Sequence, residues 1–87
     1  MLEKQLEKKC CDWAEKQGWW QRKFVSPSQR GVPDRLFLRH GHVVFVEFKR
    51  QGEKPTALQE KTINTMFKNG ATVHVVDDFE TFKLLMG

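Results

Sequence analysis

Apolar residues in the first segment fall at Leu2, Leu6, Cys10 and Trp13, at intervals of four and three, which is the repeat of one helix face. With Gly18 as a stop, the spacing predicts a helix over 2–17. From Trp19 to Val25 the pattern becomes a loose alternation rich in aromatic and β-branched residues, predicting a strand over 19–25, and "SPSQRG" at 26–31 reads as a connecting loop. "DRLFLR" and "HVVFVEFK" flank His40-Gly41, where glycine can take positive φ, and together predict an antiparallel hairpin. The second of these strands is apolar on both faces until Glu47, which predicts a central place in the sheet. Thr56-x-x-Gln59 has the form of a capping box and opens a helix whose stripe is Leu58, Ile63, Met66 and Phe67, ending at Asn69-Gly70. "TVHVV" predicts a short strand, and Asp77 or Asp78 caps a last helix through Leu85, with Phe79, Phe82 and Leu85 at helical spacing. The order is therefore αβββαβα, an α/β class with one mixed central sheet flanked by helices and a single domain over 1–87.

Composition narrows the partners and the compartment. A chain of 87 residues supports one core of modest size, to which oligomerisation would add stability. Fifteen Lys and Arg against eleven Asp and Glu, a net charge of +4, favour a polyanionic partner. Cys10 and Cys11 are adjacent in a helical pattern, where their side chains diverge, so reduced thiols and an intracellular setting are expected. The early charges of "MLEKQLEKK" and the lack of a long apolar run argue against a signal peptide and a membrane span, and cytoplasmic location is the expectation.

The chemistry gathers where the hairpin leaves its apolar pattern. Residues two apart on a strand share a face, so Glu47 and Lys49 project together while Phe48 turns to the core with Val44 and Val46. Burying unpartnered charges costs several kcal/mol each, so the change from Val43 and Phe45 to Glu47 and Lys49 belongs where the sheet meets water, a metal or a ligand. With the turn at 40 and 41, antiparallel pairing puts Asp34 opposite position 47, close enough for the two carboxylates to share a divalent ion. Two carboxylates, a carbonyl oxygen and waters suit Mg²⁺ or Mn²⁺, which prefer hard oxygen ligands. Lys49 would orient the nucleophile or take its proton. Pro33 and Gly31 would hold Asp34 rigidly and let the loop approach a ligand closely.

"VPD", followed thirteen positions after its aspartate by "EFK", resembles the PD-(D/E)xK nuclease superfamily, and "GVPDR…VVFVEFKR…PTALQ…NGATVHVV" is similar to its VRR-Nuc family. The resemblance spans nearly the whole chain. It implies a restriction endonuclease-like fold in which Asp34 and Glu47 ligate the metal, Phe48 adds its backbone oxygen and Lys49 serves the attacking water. It further implies that Gln59 faces the active site and that an acid on the first helix takes part, with Glu7 preferred slightly over Glu3. The implied activity is metal-dependent hydrolysis of DNA, and standalone phage-type members look like homodimers directed at four-way (Holliday) junctions.

Several positions carry two readings. Gln59 is a capping-box residue or an active-site residue, and Glu7 and Glu3 solvate a helix or serve the metal. Arg30, Gly31, Arg50 and Lys54 lie near the site in sequence and are the expected nucleic-acid contacts, chiefly to phosphates. Trp19 and Trp20 fit a core, a dimer contact or a stacking platform. The histidines and cysteines lack zinc-site spacing. The competing functional classes are a non-enzymatic nucleic-acid-binding or assembly module and a nuclease acting on linear or single-stranded ends.

Overall fold

A computed structural model describes residues 1–87. The elements are α1 (Glu3–Lys16), β1 (Trp20–Lys23), β2 (Arg35–Arg39), β3 (His42–Phe48), α2 (Ala57–Lys68), β4 (Thr72–Val76) and α3 (Phe79–Met86), in the expected order. The sheet order is β1-β2-β3-β4. The first three strands are antiparallel, and β3 pairs in parallel with β4, so the sheet is mixed and β3 is central.

The hairpin register follows from its turn. His40 and Gly41 both take positive φ, 50° and 81°, as a two-residue turn matching strand twist requires. Arg39 is thereby set opposite His42 and Arg35 opposite Val46. On one face of the sheet Phe37, Val44, Val46 and Phe48 meet Leu6, Cys10, Cys11 and Ala14 of α1 and Phe82 and Met86 of α3. Phe82 is the hub, its ring 6.0 Å from Trp13, 5.6 Å from Phe37 and 5.9 Å from Phe48. Trp19 joins this core and donates its indole N–H to the Met86 carbonyl, whereas Trp20 stays on the surface over Arg22. Both cysteines are free and buried, and burial pushes their thiols up to about 12 and about 11.

The structure corrects three apolar stripes. Leu2 is the N-cap of α1 and lies on the surface, while Cys11 and Ala14 extend the buried face because α1 crosses the sheet on the side those residues occupy. In α3 Met86 is buried in place of Leu85. Helix α2 forms between its expected caps, Thr56 and Asn69, yet Leu58 and Phe67 are exposed and Thr62 is its one buried residue. Ile63 and Met66 of the stripe are half-buried, so only its Leu58 and Phe67 edges face solvent. The first strand is shorter than 19–25, since β2 begins at Arg35 and offers partners only from Trp20 to Lys23. A single further bond, Phe24 N–H to the Asp34 carbonyl at 2.8 Å, carries the pairing to the head of the hairpin.

Gly31 packs this hairpin entrance against α2. Its φ is +82°, and a Cβ there would stand 2.9 Å from the Leu58 carbonyl and 3.0 Å from the Thr62 hydroxyl. The close approach that its glycine permits is thus to the backbone of α2. Thr62 Oγ1 donates to the Arg30 carbonyl at 3.1 Å and completes the seam. Gly31→Ala is expected to destabilise the protein by about 2 kcal/mol or more, combining left-handed backbone strain with that contact. Urea unfolding checks this, and a loss below about 0.5 kcal/mol would contradict the tight seam.

Candidate active site

Asp34 stands at the foot of β2 and Glu47 and Lys49 at the carboxyl end of β3, where β1 and β2 no longer cover the sheet edge. Asp34 Oδ2 accepts the Phe48 N–H at 2.9 Å, which fixes the aspartate beside the strand end as the hairpin register requires. The N–H and carbonyl of one residue leave an extended strand on the same side. The Phe48 carbonyl therefore points toward the side where Asp34 sits, while its ring is fully buried in the core.

Glu47 is 2% exposed. Its Oε2 accepts from Gln59 Nε2 at 3.0 Å and lies 3.5 Å from Lys49 Nζ. Its Oε1 is buried with no hydrogen-bond partner. An unpaired buried carboxylate oxygen is costly, so such an atom calls for a ligand, a proton or an ion. Burial, and then the neighbouring Asp34 charge, push the Glu47 carboxyl up to about 7, against the opposing pull of Lys49. Asp34 is raised as well, chiefly by burial, with the Phe48 N–H and Lys49 opposing and Glu7 adding to the rise. Two carboxylates that resist ionising together, one with an oxygen that has no hydrogen-bond donor, fit a divalent cation in chemistry and in donor set. Asp34, Glu47 through Oε1 and the Phe48 carbonyl are the residues that would hold it.

Gln59 reconciles its two sequence readings. Its Oε1 accepts the Thr56 N–H at 2.9 Å and its backbone N–H donates to Thr56 Oγ1 at 3.2 Å, closing the capping box. The same side chain gives Nε2 to Glu47. Of the first-helix acids, Glu7 acts on Asp34 and Glu3 on Glu47. Glu7 is tied to Arg35 Nε, and Arg35 Nη1 donates to Gln21 Oε1 at 2.9 Å. No three acidic, histidine or cysteine side chains converge on one point, so the carboxylate pair is Asp34 and Glu47, with Glu7 alongside. Sequence reasoning missed Glu53, 3.9 Å from Lys49 Nζ, and the Arg35 tether of Glu7. Lys49 and Glu53 lie between β3 and α2, where spacing in the sequence gives no signal for the first. The second joins residues 28 apart and had none. Arg30, Arg50 and Lys54 are exposed, Arg30 beside α2 through its carbonyl, which accepts from Thr62.

The metal-free protein should lose stability as pH rises. At low pH both folded and unfolded chains hold the Glu47 proton; between the ordinary carboxylate value of 4.5 and about 7 only the folded chain holds it. The stabilisation is complete below 4.5 and is lost as pH rises through about 7. In EDTA the melting temperature is expected to fall by roughly 10 °C between pH 5 and pH 8 through this group. A flat profile in calorimetry would contradict the burial of an unpaired carboxylate.

Known proteins resemble this chain in sequence and in fold. The chain is 42% identical over 84 residues to "Putative nuclease p44" of Acyrthosiphon pisum secondary endosymbiont phage 1, covering 95% of this chain and 90% of that protein. Its fold is similar to that of a solved VRR_NUC domain, with a TM-score of 0.88 and 32% identity over 95% of this chain and 91% of the other. No family model matches the chain. The mixed sheet and the order of its elements are those of the PD-(D/E)xK nuclease superfamily. Within that superfamily the chain belongs to the VRR-Nuc family.

Proposed function

We propose that this protein is a Mg²⁺- or Mn²⁺-dependent endodeoxyribonuclease that acts as a homodimer and prefers branched DNA such as four-way junctions. The observation that carries the catalytic part is the buried, unpartnered Oε1 of Glu47 beside Asp34 and Lys49. When bound, the divalent ion supplies Lewis-acid polarisation of the phosphoryl group and makes water more acidic. Asp34 and Glu47 hold the ion's side of the site, and Gln59 keeps Oε2 occupied so that Oε1 is the atom presented. Lys49, nine-tenths buried, stands 3.5 Å from Glu47 Oε2 and 3.9 Å from Glu53 Oε1, and its ammonium group is the donor for the attacking water or a phosphoryl oxygen. Glu7, held by Arg35, completes the acidic flank. Arg30, Gly31, Arg50 and Lys54 offer contacts to the DNA backbone.

Support for the dimer comes from exposed apolar side chains. Trp20, Leu38 and Val43 are in register across β1, β2 and β3, on the face away from the core, and all three are exposed. Pairing two copies would cover such a row and set two active sites at a fixed spacing, which selects DNA by shape.

Labelled four-way junction, flap, linear duplex and single strand, each incubated with Mg²⁺, Mn²⁺ or EDTA, test the reading. Metal-dependent cutting fastest on the junction is expected. Equal cutting of every substrate would remove the branch preference, and no cutting by folded protein would favour a binding module. Sedimentation showing monomer alone at micromolar concentration would remove the dimer.

A further inference from the structure

The proposed function gives Arg30, Arg50 and Lys54 to the DNA backbone, and a strand passing through the site needs contacts beyond these. Between the first half of α1 and the paired ends of β1 and β2 lies a concavity of about 400 Å³. Lys4, Lys8, Lys23 and Arg35 line it, against the carboxylates of Glu7 and Asp12. Lys8 is satisfied by Asp12 at 2.8 Å and Arg35 by Glu7. Lys4 and Lys23 have no carboxylate partner, so the concavity carries two uncompensated positive charges.

Its position is set by the same residues that set the active site. Lys23 is paired with Arg35, the residue after Asp34, and it precedes Phe24, whose N–H binds the Asp34 carbonyl. The Lys23 charge reaches Asp34, and Glu7 belongs to both the concavity and the acidic flank. Lys4 follows Glu3, whose charge reaches Glu47.

We infer that Lys4 and Lys23 form a phosphate subsite that grips the DNA backbone beside α1, in addition to the Arg30, Arg50 and Lys54 contacts. This inference rests on the nuclease reading for its occupant. The two lysines are exposed and long, so they position the strand without reading its bases. Arg35–Glu7 ties α1 to β2 within the concavity, and Lys8–Asp12 lies along α1 itself.

Fluorescence anisotropy with labelled junction and linear duplex in EDTA, over a range of KCl, tests the subsite. Lys4→Ala/Lys23→Ala is expected to weaken binding about tenfold and to reduce the slope of log K against log salt by about 1.8, the release of two phosphate contacts. Lys68→Ala, which removes an exposed charge at the far end of α2, is expected to leave the slope unchanged. A double variant with the parental slope would overturn the inference, as would an equal loss in Lys68→Ala, which would reduce the effect to net charge. Parental cleavage is followed in parallel with Mg²⁺ and Mn²⁺. Cutting by the parent with an unchanged double-variant slope removes the subsite alone, whereas a reduced slope without parental cutting removes the catalytic reading and keeps the subsite.

Discussion

Glu47→Gln is expected to lower metal-dependent cleavage by at least about a thousandfold while making the metal-free protein more resistant to heat at pH 8. The two effects have one origin. The carboxylate is 2% exposed with one oxygen unpaired, so in the absence of a cation its charge works against folding, and with a cation it becomes a ligand. Losing that ligand removes several kcal/mol of charge stabilisation from the transition state, and each 1.36 kcal/mol is a factor of ten in rate. The amide keeps an oxygen for Gln59 and relieves the repulsion from Asp34, and Lys49 retains Glu53 as an anion. Gel-based cleavage rates and melting curves in EDTA check both halves. Cleavage within about tenfold of the parent would remove Glu47 from the chemistry; a lower melting temperature at pH 8 would mean that its charge is compensated in the free protein.

Phe82→Ala is the largest expected loss of stability. The ring is fully buried and touches α1 through Trp13, β2 through Phe37 and β3 through Phe48. Truncating a buried Phe costs about 3–5 kcal/mol. At roughly 0.05–0.15 kcal/mol per residue, a chain of this length has little more than about 4–13 kcal/mol in total. The variant is expected to melt at least about 15 °C below the parent, with the loss reaching the site because Phe48 both packs on Phe82 and donates its N–H to Asp34. Phe67→Ala, at a ring that is 71% exposed, should stay within about 0.5 kcal/mol of the parent. Similar melting curves for the two variants would contradict this placement of the core.

The hairpin and the placement of its charged residues were legible because a two-residue turn leaves one register, and the period of two then assigns every side chain to a face. That sufficed to put Asp34 beside the end of β3, Phe48 in the core and Glu47 with Lys49 on the opposite side. Helical stripes were less legible. Periodicity says which residues share a face, and only packing says whether that face is covered, so Leu58 and Phe67 read as core and are exposed. Trp19 and Trp20 fall on opposite sides by alternation, and only the pairing of Trp20 with Leu38 on the exposed face decides which ring is turned inward. The Glu7–Arg35 tether was invisible because its partners meet only after α1 is laid across the sheet. Gln59 was read as a choice between two roles because a sequence motif assigns one partner to a side chain, whereas an amide has two ends.

Those two ends also bind the order of assembly. The oxygen of the Gln59 amide is taken by the first turn of α2 and its nitrogen by the carboxylate of β3, so rotating the amide by half a turn would set like against like at both. When the first turn of α2 opens, the grip on Glu47 goes with it. Nucleating the helix and aiming the carboxylate are therefore one cooperative event, and a molecule with a frayed α2 is also a molecule without a formed site.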